Sequence, residues 1–378
     1  MCIIHDMAPS LRSCRMRIGL AGAFAVAGLA ACDSDPPLPS LATCSSGWTA
    51  VTPMNDNLFA MPRAMVWQDG VVYQASAQGL VAVPVDGGEV IDVVSDRPVT
   101  GVWVEGDNVI YSLDDQLYAV PRAGGDSTLL FDGGRQNDPS SGSSGQDHIG
   151  QRQYLDSNAF YWTTTAYPYA TDGSHVWRVL RTGGAVEGFA LLPIETVDAL
   201  SVRSDGVLAV GQSTTVGGPF YSAFLAPFAH GAAREVPLSP TPDTIISADN
   251  EALLWSVYTG NRQGSRETHE VWISPADGSP AKRLSRNLPG ELQATWSIPN
   301  EQGGHVIGGV EPFDDGVNHA SVFHVSRDGN ATRLACDASN NWPVYTATAL
   351  APDATYLSVR YDQPGWMLVR LPPPGEWE

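Results

Sequence analysis

One block of this sequence recurs. Val66-Trp67-Gln68-Asp69-Gly70-Val71-Val72-Tyr73 lies over Val102-Trp103-Val104-Glu105-Gly106-Asp107-Asn108-Val109-Ile110-Tyr111, each an apolar strand, a tight turn and a second strand. A third strand ends in Val83-Pro84-Val85-Asp86-Gly87-Gly88 in the first unit and Val120-Pro121-Arg122-Ala123-Gly124-Gly125 in the second. There glycine supplies the positive φ that a hairpin turn needs. The same grammar returns around Tyr161, with Val179-Leu180-Arg181-Thr182-Gly183-Gly184, and around Leu208, Trp255, Val306 and Tyr356. Counted from Tyr73, the seven anchors are 38, 50, 47, 47, 51 and 50 residues apart, which suits four strands per unit with variable loops. No amphipathic helix of useful length interrupts them. The pattern predicts an all-β, seven-bladed β-propeller; six or eight blades, or a β-sandwich with coincidental spacing, would explain the repeated order less well.

The last unit offers three strands, at 345–351, 355–361 and 366–371, and Trp48-Thr49-Ala50-Val51 is expected to supply the fourth. Pairing the two ends of the domain would remove exposed sheet edges that invite aggregation.

Ahead of the repeats, Arg12, Arg15 and Arg17 precede an apolar run at 18–28 and then small residues, the order of a secretion signal. The run is shorter than the roughly 20 apolar residues that cross a bilayer. Leu29-Ala30-Ala31-Cys32 resembles the lipobox of bacterial lipoproteins. That resemblance implies cleavage before Cys32, a diacylglyceryl thioether on its sulfur and a membrane attachment through lipid alone. The true start is open between Met1, Met7 and Met16. Residues 1–31 are thus expected to be a signal peptide, 32–43 a lipidated cysteine with a Pro-rich tether carrying Pro36, Pro37 and Pro39, and 44–378 the propeller. Asp33 beside the anchor resembles the enteric signal for inner-membrane retention, so the periplasmic side of the inner membrane is preferred slightly over the outer membrane.

Composition narrows the partners. The chain carries 21 basic and 41 acidic residues; without residues 1–31 it loses three arginines and Asp6, leaving 18 and 40, a formal charge of −22. Nucleic acid and anionic lipid surfaces are repelled. Of five cysteines, Cys2 and Cys14 leave with the signal and Cys32 takes lipid, so Cys44 and Cys336 remain. An oxidising envelope permits their disulfide. The topology argues the other way, because Cys44 would begin the closing strand while Cys336 ends the outer strand of the preceding blade toward the opposite face. Both outcomes stay open at this point.

With strands ordered A to D from axis to rim, the A–B and C–D turns share one face and are short, as at Asp69-Gly70, Asp205-Gly206 and Gly183-Gly184. The B–C and D–A loops share the other face and are long in blades three to six. Loops on a rigid scaffold are where recognition resides. Tyr167, Tyr169, His175, Phe220, Tyr221, Arg262, Arg266, Phe313, Asp314, Asp315 and His319 are therefore the candidate binding residues, aromatics giving area and charges orientation. The competing reading is that these loops pack on one another. His148, His175, His269 and His319 lie in or beside these loops, but they come from separated blades, and no calcium-loop spacing accompanies Asp314-Asp315; no metal or other cofactor is expected.

No Gly-x-Ser-x-Gly, His-Glu-x-x-His, Cys-x-x-Cys or phosphate-loop motif occurs, and seven blades occupy the chain, which points away from an enzyme. Over residues 63–371 the Tyr-strand and Val-Pro-x-x-Gly-Gly pieces resemble bacterial propeller lipoproteins with TolB-like blades, departing where Leu208 and Val306 replace the aromatic. The resemblance implies a binding platform. The expected function is a monomeric envelope lipoprotein that holds a protein partner without catalysis. A propeller that binds or cleaves a glycan is the alternative.

Overall fold

The computed structural model describes the chain except residues 1–38, 41–43, 45–47, 52–61, 114–115, 133–147, 166–172, 214–219, 230, 250, 260–267, 276–278, 285–287, 301–303, 337–343, 361–365 and 372–378. The described residues hold 28 strands and no helix. After β1 (Thr49–Ala50), blade one comprises β2 (Pro62–Gln68), β3 (Val71–Ser76), β4 (Gly79–Pro84) and β5 (Ile91–Ser95). Blade two is β6 (Gly101–Glu105), β7 (Asn108–Leu113), β8 (Gln116–Pro121) and β9 (Thr128–Asp132). Blade three is β10 (His148–Leu155), β11 (Ala159–Thr165), β12 (Ser174–Leu180) and β13 (Glu187–Leu192). Blade four is β14 (Thr196–Arg203), β15 (Gly206–Ser213), β16 (Phe220–Pro227) and β17 (Arg234–Val236). Blade five is β18 (Thr244–Ala248), β19 (Ala252–Tyr258), β20 (His269–Pro275) and β21 (Lys282–Arg283). Blade six is β22 (Gln293–Asn300), β23 (Gly304–Pro312), β24 (Asn318–Val325) and β25 (Ala331–Cys336). Blade seven has β26 (Val344–Ala351), β27 (Ala354–Arg360) and β28 (Trp366–Leu371) from the C-terminal side, and β1 completes it. The fold is a seven-bladed β-propeller.

Its core lies between blades. Seven apolar clusters fill the seven interfaces, for example Tyr73 and Ala75 of blade one against Val102 and Val109 of blade two. The alternation of a strand explains the division of labour, since successive side chains point to opposite faces of a blade. Counting from the first residue of each second strand, the third residue packs toward the following blade: Tyr73, Ile110, Tyr161, Leu208, Leu254, Val306 and Tyr356. All seven are buried. The second and fourth residues pack toward the preceding blade, as Leu253 and Trp255 do. Two anchors in the sequence alignment are therefore one residue late. Tyr111 and Trp255 are fourth residues facing backward, and the true equivalents of Tyr73 are Ile110 and Leu254. A one-residue slip changes face without changing the count of units.

The glycine-rich C–D turns are tied to the A–B turns. Val85 N, Arg122 N and Arg181 N donate to Gly70 O, Asp107 O and Asn158 O, at 2.8 to 3.0 Å. The repeated arginine also crosses to the previous blade. Arg122 Nη1 meets Asp69 Oδ2 at 2.8 Å while its Nε donates to the Tyr73 hydroxyl at 2.9 Å, and Arg181 pairs with Glu105 in the same way.

Closure follows the expected scheme. β1 pairs antiparallel with β28, Thr49 opposite Arg370 and Ala50 opposite Val369, and Val51 N donates to Leu368 O at 2.9 Å. Trp48 packs into the cluster between blades six and seven, and Val51 into that between seven and one. Cys44 is bonded to Cys336, with 5.5 Å between their Cα atoms. The bond overturns the expectation that opposite faces would keep the two cysteines apart.

Two predictions concern stability. The disulfide spans 292 residues, so chain entropy puts its contribution at up to about 5–6 kcal/mol. Cys44→Ser/Cys336→Ser should unfold at clearly lower urea than the oxidised parent, and reductant should lower the parent alone. In blade six, burial holds the His305 and His324 imidazoles below the ordinary histidine range. The folded state thus stays neutral where the unfolded chain takes up protons; stability is complete above about pH 6.5 and falls below it. Thermal melts at about pH 7 and about pH 5 should show that decline, and His305→Gln/His324→Gln should flatten it.

Candidate functional site

The innermost strands surround the axis, and their register carries a repeated irregularity. Against the second strand the pairing jumps by one residue at Arg63 in β2, Asp198 in β14, Thr295 in β22 and Thr346 in β26. All four jumps fall opposite the same step, between the fifth and sixth residues of the second strand. In β10 the irregular stretch is 150–152, and in β18 it falls at Ile246, nearer the A–B turn. β6 pairs regularly throughout. A bulge leaves one residue out of the ladder and re-aims its side chain. Here Arg63, Arg152, Asp198, Ile246 and Thr295 all line one cavity of about 650 Å3.

That cavity is the axial channel. Inner-strand residues from six blades line it, together with Tyr221 of β16. Each inner strand leaves a D–A loop, so residues in its first half lie toward the face of the D–A and B–C loops. The lining comes mostly from those halves, and the channel opens on that face. The two faces differ as expected: the A–B turns at 69–70, 106–107 and 204–205 are two residues long, whereas B–C loops reach 173, 219 and 268 from 166, 214 and 259.

The lining is polar and incompletely satisfied. Asp198 Oδ2 and Ser247 Oγ are buried and find no hydrogen-bond partner among the described residues. Burial pushes the Asp198 carboxyl above the usual range, and the nearby Arg152 charge acts against that. Between blades two and three, Thr100 Oγ1 lies 3.0 Å from Ser112 Oγ, and the Ser112 hydroxyl donates to Gln153 Oε1. Gln153 Nε2 donates back to Thr100 Oγ1 at 3.3 Å. Tyr221 is oriented by Gln212, whose Nε2 donates to its hydroxyl at 2.9 Å.

The candidate binding residues divide. Tyr221 stands at the channel. His175 lies at the rim, its ring stacked on Trp177 at 5.7 Å beside a separate cavity of about 480 Å3 lined by Phe189 and Leu191. Phe220 opens β16, and its side chain, like Tyr167, Tyr169, Arg262 and Arg266 entire, lies outside the described residues.

The loop at 313–317 packs on itself. Phe313 is 0% and His319 1% exposed, edge to face at 5.2 Å, so neither offers a contact surface. His319 Nε2 lies 2.8 Å from Asp315 Oδ2, and Val317 N donates to Asp315 Oδ1 at 2.9 Å. These bonds, the backbone one first, hold the Asp315 carboxyl below its usual range. Asp314 N donates to Pro39 O at 3.1 Å, placing Pro39 against this loop. Beneath, buried Glu311 accepts from Ser321 and Arg333, and the Arg333 guanidinium stacks on Phe313 at 5.3 Å. Among the described residues no three His, Cys, Asp or Glu side chains are grouped to hold a metal ion.

Arg63, Arg152 and Asp198 escaped the sequence reading because a bulge is a property of pairing. One signal was present: Asp198 interrupts the apolar alternation of Thr196-Val197-Asp198-Ala199-Leu200.

The fold is a β-propeller with an axial channel. No protein-family model matches the chain, and no curated protein matches it. Solved propellers do. The β-propeller domain of the Trilobed protease from Pyrococcus furiosus, described as having an open velcro topology, gives a TM-score of 0.55 at 9% identity over 84% of this chain and 96% of that one. YCF48 bound to D1 peptide gives 0.54 at 13% identity over 90% and 99%. The tricorn protease gives 0.53 at 8% identity over 82% of this chain and 35% of that one, so this chain matches about a third of that protein's length. At such identities the likeness is one of fold.

Glycine sets the channel wall in blade six. A Cβ on Gly308 would sit 2.1 Å from the Trp296 ring, so only glycine lets this tryptophan lie flat against the second strand. Gly308→Ala should cost about 1–3 kcal/mol by overpacking and shift the tryptophan emission, checked by urea unfolding with fluorescence.

Proposed function

We propose that the protein is an envelope lipoprotein, lipidated at Cys32, whose loop-bearing face holds a protein partner over the channel mouth without catalysis. The supporting observation is the asymmetry of the loops: the A–B turns span two or three residues, whereas the B–C loops of blades three to five span six to ten, on the face toward which the lining of the polar channel lies. Cleavage of a glycan needs two carboxylates about 5–9.5 Å apart across the bond, whereas Asp198 is the single carboxylate among the described channel-lining residues. Asp315 is engaged by His319 and Val317. Glycan cleavage is therefore the weaker reading.

The anchor accounts for the N-terminal order of basic residues, apolar run and Leu29-Ala30-Ala31-Cys32. The bonds at Pro39 and Cys44 would keep a tether from Cys32 short and tied to blades six and seven. Cys32→Ala should move the protein from the membrane to the soluble fraction and abolish incorporation of labelled fatty acid; unchanged membrane retention would reject the lipid anchor. Capture of the lipidated protein from crosslinked envelopes should return a stoichiometric partner that Tyr221→Ala loses. Equal recovery with the variant would reject the face, and no partner would reject the scaffold reading.

A further inference from the structure

The ion pairs of the described residues lie away from the axis: Arg122 with Asp69, Arg181 with Glu105, Arg333 with Glu311 and the others on turns and outer strands. The channel is the exception. Arg63 of blade one and Arg152 of blade three are both on its wall at irregular positions of their strands, and neither makes a hydrogen bond or salt bridge among the described residues. In a chain of formal charge −20, where acidic partners outnumber arginines, two guanidinium groups without an ion pair at one cavity, Arg152 having only the Asp198 charge near it, can take an anion from outside. A guanidinium presents a planar fork of donors that matches a carboxylate bidentately.

The neighbouring wall has the opposite chemistry, with Asp198 near enough to Arg152 to feel its charge. Asp198 Oδ2 and Ser247 Oγ, on blades four and five, are buried with hydrogen-bonding capacity unused, and Thr295 of blade six adds a hydroxyl to the lining. A buried polar atom left unpaired is unfavourable, so a ligand that satisfies these atoms recovers that cost. The cavity of about 650 Å3 is within the usual range for small-molecule sites.

We propose that the axial channel binds a small ligand bearing a carboxylate at one end and hydrogen-bond donors at the other, the carboxylate between Arg63 and Arg152 and the donors on Asp198 and Ser247. Two sources share this chemistry: an acidic sugar, with hydroxyl donors, and an amino acid or peptide end, with an ammonium or amide. The site is distinct from the protein-partner reading, because it lies within the channel and needs no second protein.

The test uses the purified mature protein alone. Calorimetric titration with glucuronate, with glutamate and with an acidic tetrapeptide is compared with neutral glucose and glutamine amide as controls. At least one carboxylate probe should bind, its neutral counterpart should not, and Arg63→Gln and Arg152→Gln should each weaken it about tenfold or more with the melting temperature unchanged. Asp198→Asn should weaken an ammonium-bearing probe more than glucuronate, which separates the two sources. Binding by no carboxylate probe, or equal binding by the Arg63→Gln/Arg152→Gln variant, overturns the proposal. Either result leaves partner capture on envelopes unaffected, so the two readings fail separately.

Discussion

Everything in this molecule depends on the ring being closed. Each blade is a four-stranded sheet whose apolar residues face its two neighbours, so no blade has a core of its own and each interface needs both sides. An open ring would expose two of these surfaces and a sheet edge together. The chain avoids this by drawing its N-terminal strand β1 onto β28, and the Cys44–Cys336 bond fixes the same segment to blade six. Closure therefore rests on a few residues spanning the interfaces on both sides of blade seven. Trp48 sits in one and Val51 in the other.

The strictness of the interfaces leaves little room for a site within the blades; register shifts occur on outer strands, as between Leu80 and Val81, but those of the inner strands border the axis. A strand that packs on both faces must keep its alternation, but the inner strands border a channel on their free edge. There an extra residue can leave the ladder without opening a core. The recurrence at Arg63, Asp198 and Thr295, opposite one step of the second strand, gives the channel wall side chains that regular pairing would not direct there.

Charge is distributed in the same spirit. On the turn-bearing face the repeated arginine of the glycine turn ties neighbouring blades, as Arg122 does through Asp69 and Tyr73. Such exposed pairs contribute little individually, typically under about 1 kcal/mol, and act mainly to fix the register of one blade on the next. In blade six the burial of Glu311 under Arg333 and Phe313 makes the 313–317 loop part of the scaffold. This is why Phe313 and His319, attractive in the sequence as loop aromatics, are internal.

The sequence by itself determined the class of fold, the number of blades, the tight and the long-loop faces and the identity of the closing strand. These follow from local signals: period-two alternation, glycine at positive φ in turns such as Gly87 and Gly183, and unit length. It misaligned Tyr111 and Trp255 by one residue, since two apolar neighbours in a strand buried on both faces look alike until pairing assigns their sides. Tertiary structure alone decided that Cys44 meets Cys336, that Phe313 is core, and that Arg63, Arg152 and Asp198 share one channel. Those facts depend on how strands from different blades are placed about a common axis, and residues tens to hundreds of positions apart carry no local mark of meeting there.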